Sequence, residues 1–197
     1  MKLRTLISVF AAAALAGCAG LLGGGTKVPP TLQTLTPEAA DPGAVAKNAA
    51  AGQAVTIATP VISSQLRTLR VPVQTSPTDV QYVTNLQWID TPDKLFQSLL
   101  EETIRRTTNR VVINPGQTGL DPGIVVQGEL ERFGYDAQTG QVVVAYNASM
   151  SSPDGAQIQT KRFVATEAAN GSGPSVGPAL NRAANAVAQQ VAQWIGG

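Results

Sequence analysis

The chain contains no histidine and only one cysteine, Cys18. Without histidine there is no imidazole metal ligand and no histidine base to activate a serine or cysteine. There is also no side chain whose ordinary charge switches near neutral pH. A single cysteine excludes an intrachain disulfide, and once that cysteine is modified it also excludes a thiolate zinc site. Charge is scarce: 14% of residues are charged and the formal net charge is +1. A surface so nearly neutral argues against nucleic acid, whose phosphates select for strong positive charge. The apolar run from Leu6 to Ala16 is too short to span a bilayer as a permanent anchor.

The first residues supply a different kind of anchor. Lys2 and Arg4 make a short positive region ahead of that apolar run, the layout of an export signal. It closes on Leu15-Ala16-Gly17-Cys18, a lipobox. Small residues let an extended chain pass the signal peptidase, and a thiol accepts the diacylglyceryl group. Two acyl chains, with a third on the new amino terminus, hold far more firmly than one, since each buried methylene contributes about 0.8 kcal/mol. The expectation is therefore a signal peptide over residues 1–17 and a lipidated, glycine-rich tether over 18–30. One domain follows over 31–197. Ala19 after the cysteine, where an aspartate would retain the protein in the inner membrane, points to the outer membrane and its periplasmic face. Loss of Lys2 and Arg4 leaves twelve basic residues against thirteen acidic, a charge of −1.

Hydrophobic patterning predicts an α+β domain. The stretch Thr26 to Pro37, with threonine and leucine alternating over Thr31, Leu32, Thr34, Leu35 and Thr36, reads as a short edge strand, and the alanine-rich stretch 38–53 as a loop, or a loop with one helical turn. Strands are predicted over Ala54 to Thr59, Leu66 to Val73 (an edge strand, because of Pro72), Asp79 to Thr84 and Arg110 to Ile113. Thr91-Pro92-Asp93 has the chemistry of a helix start, with Thr91 as cap. Leu95, Phe96, Leu99, Leu100 and Ile104 then recur with helical period, with Glu101 and Glu102 four residues ahead of Arg105 and Arg106 on the exposed side. Ile124 to Phe133, Val142 to Met150 and Ile158 to Thr166 alternate as an antiparallel meander. A last helix from near Ser175 to Ile195 carries Val176, Leu180, Ala183, Val187, Val191 and Trp194 on one stripe. Two amphipathic helices and a half-apolar sheet predict a two-layer sandwich, mainly antiparallel, with both helices on one face.

No catalytic constellation emerges. Ser63-Ser64 and Ser151-Ser152 lack a histidine, and the lysines show no partner pattern. Glu129 and Glu131 could be a glycosidase pair but read more simply as a solvated strand face. Trp88, between a strand and the capped helix, is either a core aromatic locking the helix start or a lipid- or partner-contact residue. Arg67, Arg70, Arg105, Arg106 and Arg110 could form a basic face toward anionic headgroups, or ordinary surface charge balanced by Glu101 and Glu102.

Taken in order, these pieces resemble the auxiliary lipoproteins of ABC-type transport systems, which accompany MCE-domain lipid transporters. The resemblance runs over residues 31–195, beyond the lipobox itself. It is carried by Leu69-Arg-Val-Pro-Val73, by Val80-Gln-Tyr82-Val83 with Gln87-Trp88-Ile89 and Pro92, and by the helix through Leu99-Leu100. Val126 to Phe133 and the closing helix complete it. Gln33-Thr-Leu35 and Gln65-Leu-Arg67 depart from the family pattern. Tyr82, Trp88, Pro92 and Phe133 correspond to signature positions, structural or partner-facing. The resemblance implies a non-enzymatic component without cofactor. Its partners are an MCE-domain protein, a permease and an ATPase, its cargo is phospholipid or another hydrophobic molecule, and a homo-oligomer is compatible with it. The alternative is a general outer-membrane assembly or scaffold lipoprotein.

Overall fold

The structure is a computed structural model that describes residues 31–114, 116, 123–152 and 154–196. The lipobox and Cys18 lie outside the described residues. In chain order the strands are β1 (Val55–Ile57), β2 (Val61–Ile62), β3 (Arg70–Gln74) and β4 (Val80–Gln87). Helix α1 (Pro92–Thr107) follows, then β5 (Val112–Ile113), β6 (Ile124–Asp136), β7 (Gln141–Ser151), β8 (Ile158–Ala168) and helix α2 (Gly173–Gly196).

The thirteen-residue β6 organises the sheet. One of its edges pairs antiparallel with β7 along its length, and β7 pairs likewise with β8. Its other edge takes β1, β2 and β3 in succession, all parallel. β5 flanks β1 at one end and β4 flanks β3 at the other. The predicted meander is present, but the sheet as a whole is mixed. The parallel pairs arise because the chain from Val55 to Gln74 runs beside β6 as one interrupted strand, broken by the 3-10 turn Ser64–Leu66. The strand predicted from Leu66 accordingly starts only at Arg70.

Three further expectations are corrected. Pro72 does not mark an edge, since β3 lies between β4 and β6. Its missing N–H falls where the β3–β4 register shifts between Arg70 and Pro72, a bulge that releases it from the ladder. Residues 31–37 form no strand; their one bridge joins Gln33 to Trp88. Helix α1 does start at Pro92, but the Thr91 hydroxyl caps no backbone N–H among the described residues. The Thr91 N–H instead donates to the Asp90 carboxylate at 2.7 Å.

Both helices cover one face of the sheet, giving the expected two-layer α+β fold. Phe96, Leu99, Leu100 and Ile104 of α1, and Val176, Leu180, Ala183, Val187 and Val191 of α2, are buried against Val126, Leu130, Phe133, Val144 and Tyr146. The step from Leu130 to Phe133 is three residues, which breaks strict alternation. A bulge between Leu130 and Arg132 absorbs the extra residue and returns Phe133 to the core face. On the opposite face β6 approaches β3 closely at Gly134. A Cβ there would lie 2.5 Å from the Pro72 carbonyl oxygen and 2.9 Å from its ring. Gly134→Val is expected to open this seam and cost about 2–4 kcal/mol, measured by urea denaturation.

Candidate functional site

The helices run parallel, so the layer they form has two unlike ends. At one end, the start of α2 meets the end of β4: Gly177 lies beside Gln33 and Leu86, and α1 begins four residues after Trp88. At the other, Arg110 donates to the Ile195 carbonyl of α2 at 3.2 Å, and Gly196 lies by Thr108 after α1. The two ends are separated by roughly 28 Å along α2, at 1.5 Å per residue.

The segment after the predicted tether spans this distance. Gln33 donates its N–H to the Gln87 carbonyl and accepts from the Ile89 N–H, both at 2.8 Å. Farther along, Asn181 and Asn185 of α2 take over. Asn181 Oδ1 accepts from the Thr36 N–H at 2.8 Å. Asn185 Oδ1 accepts from the Glu38 N–H at 2.8 Å, and its Nδ2 donates to the Thr36 carbonyl at 2.9 Å. From α1, Arg106 donates to the Ala39 carbonyl. Lys47 then donates to the carbonyls of Arg105 and Thr108, where the helix leaves C=O groups unpaired and its dipole is negative. The stretch predicted as a loop is a strap stitched to both helices.

Lys47, Asn181 and Asn185 carry no motif and did not stand out in the sequence. One signal was available: two asparagines four apart in an alanine-rich helix, where asparagine is a poorer helix former.

Three of the four signature positions, Trp88, Pro92 and Phe133, gather at the start of α1. Trp88 is fully buried, its ring 5.5 Å from Phe133, which lies 6.5 Å from Phe96. Pro92 is buried at the head of α1. Tyr82 stands apart on the sheet's far side, beneath the Arg70 guanidinium at 4.2 Å. The five arginines are not brought into one face. Arg67 and Arg70 lie near Trp88, while Arg105, Arg106 and Arg110 lie at the opposite end and are engaged there. Arg105 pairs with Glu101 and Glu102, and Arg106 with Glu102 at 2.7 Å. Glu101 is buried rather than on the exposed side, where it also accepts from Gln97. Glu131 is paired across strands with Arg162 at 2.7 Å, which leaves no free acid pair with Glu129.

The hydrogen bond from Arg106 holds the Glu102 carboxyl below its ordinary value of 4.5; burial opposes this and Arg105 assists. A depressed carboxyl stabilises the fold above its unfolded pKa, and that contribution is lost as pH falls through the folded value. Glu102→Gln is therefore expected to flatten the acid-side decline of the urea midpoint below about pH 4.5.

Two clefts lie at the end away from Trp88. An open cleft of about 850 Å³ is lined by Asn48, Gln53, Asn109, Arg110, Gln189 and Gln193 among others. A second of about 490 Å³ shares Gln53 and Arg110. Asparagine and glutamine side chains share the first with alanines, threonines and Val111, a lining of mixed polarity. Among the described residues no group of three or more histidine, cysteine, aspartate or glutamate side chains could hold a metal ion. No described helix is long and apolar enough to cross a membrane.

Comparison with known proteins agrees with this architecture. The crystal structure of protein XCC0632 from Xanthomonas campestris superposes with a TM-score of 0.65 at 14% identity, covering 85% of this chain and 93% of that one. A second crystal structure, of an uncharacterized protein, superposes with a TM-score of 0.59 at 12% identity, covering 77% and 94%. At these identities the likeness concerns the fold. No curated protein matches the sequence. The family model of the ABC-type transport auxiliary lipoprotein component matches residues 34–192, and the chain belongs to that family of non-enzymatic, lipid-anchored outer-membrane components.

Proposed function

We propose that the chain is cut after Leu15-Ala16-Gly17, that Cys18 is lipidated, and that the domain is the outer-membrane terminus of an MCE-type ABC system. There it docks or completes the conduit for phospholipid or another hydrophobic cargo. The observation that carries this reading is the two-ended build. The strap brings the described chain to the Trp88 end at Gln33, and a cleft around Arg110 lies at the opposite end, the side left for a periplasm-spanning partner in this reading. The space between sheet and helices is filled by the aromatic chain of Trp88, Phe133, Phe96 and Tyr146. This packing favours docking over carrying, so a lipid path would run through the partner or between several copies.

The test is affinity capture of the lipidated protein from its native envelope, followed by mass spectrometry. The expected result is an MCE-domain protein with its permease and ATPase, and acyl chains on Cys18. Recovery of an outer-membrane barrel or cell-wall proteins alone would replace this reading with the scaffold role.

A further inference from the structure

The end of the domain where the strap begins carries exposed apolar side chains. Ile89 is 60% exposed, Leu32 44% and Leu69 39%. They sit on adjoining segments: the Trp88 N–H donates to the Leu69 carbonyl at 2.7 Å, and Gln33 bridges Trp88 on the other side. In a parallel bridge paired side chains share a face and their neighbours take the other. Gln33 and Trp88 face the helices, so Leu32 and Ile89 turn outward together. Arg67 and Arg70 are exposed beside them on the 67–70 segment. Neither has an ion-pair partner among the described residues, although Arg70 stacks on Tyr82. The nearby acid, Asp90, is paired with Lys94 at 3.4 Å.

We propose that this end, with Leu32, Leu69, Ile89, Arg67 and Arg70, lies against the surface of the bilayer that holds the protein's own lipid anchor. The inference rests on attachment at Cys18. Twelve residues lie between Cys18 and Thr31, a contour of at most about 45 Å over thirteen steps of the chain. They lead through Thr31 into Leu32, inside the patch, so tethering raises the local concentration of bilayer at this end above that at the Arg110 end. The chemistry matches an interface: aliphatic side chains enter the boundary between headgroups and acyl chains, and guanidinium groups meet phosphates. The domain would then stand on the membrane in one orientation rather than swing freely.

The natural lack of other thiols makes a direct test available. The mature chain is coupled through Cys18 to a maleimide lipid in vesicles of phosphatidylethanolamine containing phosphatidylglycerol, and hydrogen exchange is compared with the uncoupled chain. This chemical tether replaces natural acylation, so the result is independent of whether the envelope capture recovers a transporter. Exchange over 67–70 and 87–91 is expected to slow roughly fivefold or more on coupling, with 48–53 and 107–111 unchanged. Ile89→Asp and Arg67→Glu should each reverse the slowing without altering the thermal midpoint. No slowing, or slowing at the Arg110 end, overturns the proposal. Protection that arises only when envelope proteins are added assigns the face to a protein partner and overturns it equally.

Discussion

Trp88→Ala is expected to cost about 3–5 kcal/mol of folding free energy, whereas Trp88→Phe should cost closer to 1 kcal/mol. Trp88 is fully buried and opens the run of four rings through Phe133 and Phe96 to Tyr146, the last pair 5.3 Å apart. Truncation leaves a cavity that rigid neighbours on β6 and α1 cannot close. It also removes an aromatic contact of about 0.5–1.5 kcal/mol beyond area burial. Phenylalanine keeps most of the packing. It also discards an indole N–H that has no hydrogen-bond partner among the described residues, so no acceptor is orphaned. Urea denaturation, with Trp194 as the remaining fluorophore, separates the two outcomes. Equal, small losses in both variants would mean that this ring does not hold the helix start to the sheet. A loss of 3–5 kcal/mol approaches the whole stability of a marginal domain, and it would appear in the envelope as missing protein rather than as a transport defect.

The same residue marks how far local pattern carries. The α1 stripe from Phe96 to Ile104 and the α2 stripe from Val176 to Val191 follow from periodicity, because burying one face of a helix needs no knowledge of what covers it, whereas Trp88 stood open between core and contact residue until the fold buried it. The β6–β7–β8 meander follows for the same reason, since short turns place neighbouring strands side by side. Nothing local specifies that β1, β2 and β3 dock in turn on one edge of β6, since their registers join residues more than sixty positions apart. The bulge at Leu130–Arg132 is similarly hidden: its cause is the need to keep both Leu130 and Phe133 on the core face across one extra residue. Of the candidate site, the lipobox is a reading of the sequence alone and lies outside the described residues. The five arginines were legible only as charges. Their division between the two ends depends on the length of α1, which separates Arg67 and Arg70 from Arg105 and Arg106.

The strap is where fold and function meet, and Asn185 is its point of greatest leverage. Its side chain is buried and makes three bonds: from Nδ2 to the carbonyls of Thr36 and Asn181, and to Oδ1 from the Glu38 N–H. Alanine would leave the Thr36 carbonyl and the Glu38 N–H without this partner, at about 1–3 kcal/mol for each group that stays buried. Asn185→Ala is therefore expected to cost about 2–4 kcal/mol, unless residues 36–38 peel away to find water instead. Those alternatives differ in measurement. If the strap stays down, the urea midpoint falls. If it lifts, the midpoint moves little, but protease cuts between residues 33 and 47 while the domain remains whole. Asn185→Asp sharpens the test, because a carboxylate still accepts from the Glu38 N–H but cannot donate to the Thr36 carbonyl, and it repels the Glu38 side chain. Either aspartate or alanine that frees residues 36–38 would leave the strap held by Gln33 on one side and by the Arg106 bond to the Ala39 carbonyl on the other, and where Gln33 lets go as well the proposed membrane leash would lengthen from twelve residues toward Ala39. A domain on so long a leash has no fixed upper end. Loss of the partner's capture at unchanged protein level, in a strap-released variant with its core intact, would tie docking to orientation and not to any single contact in the cleft.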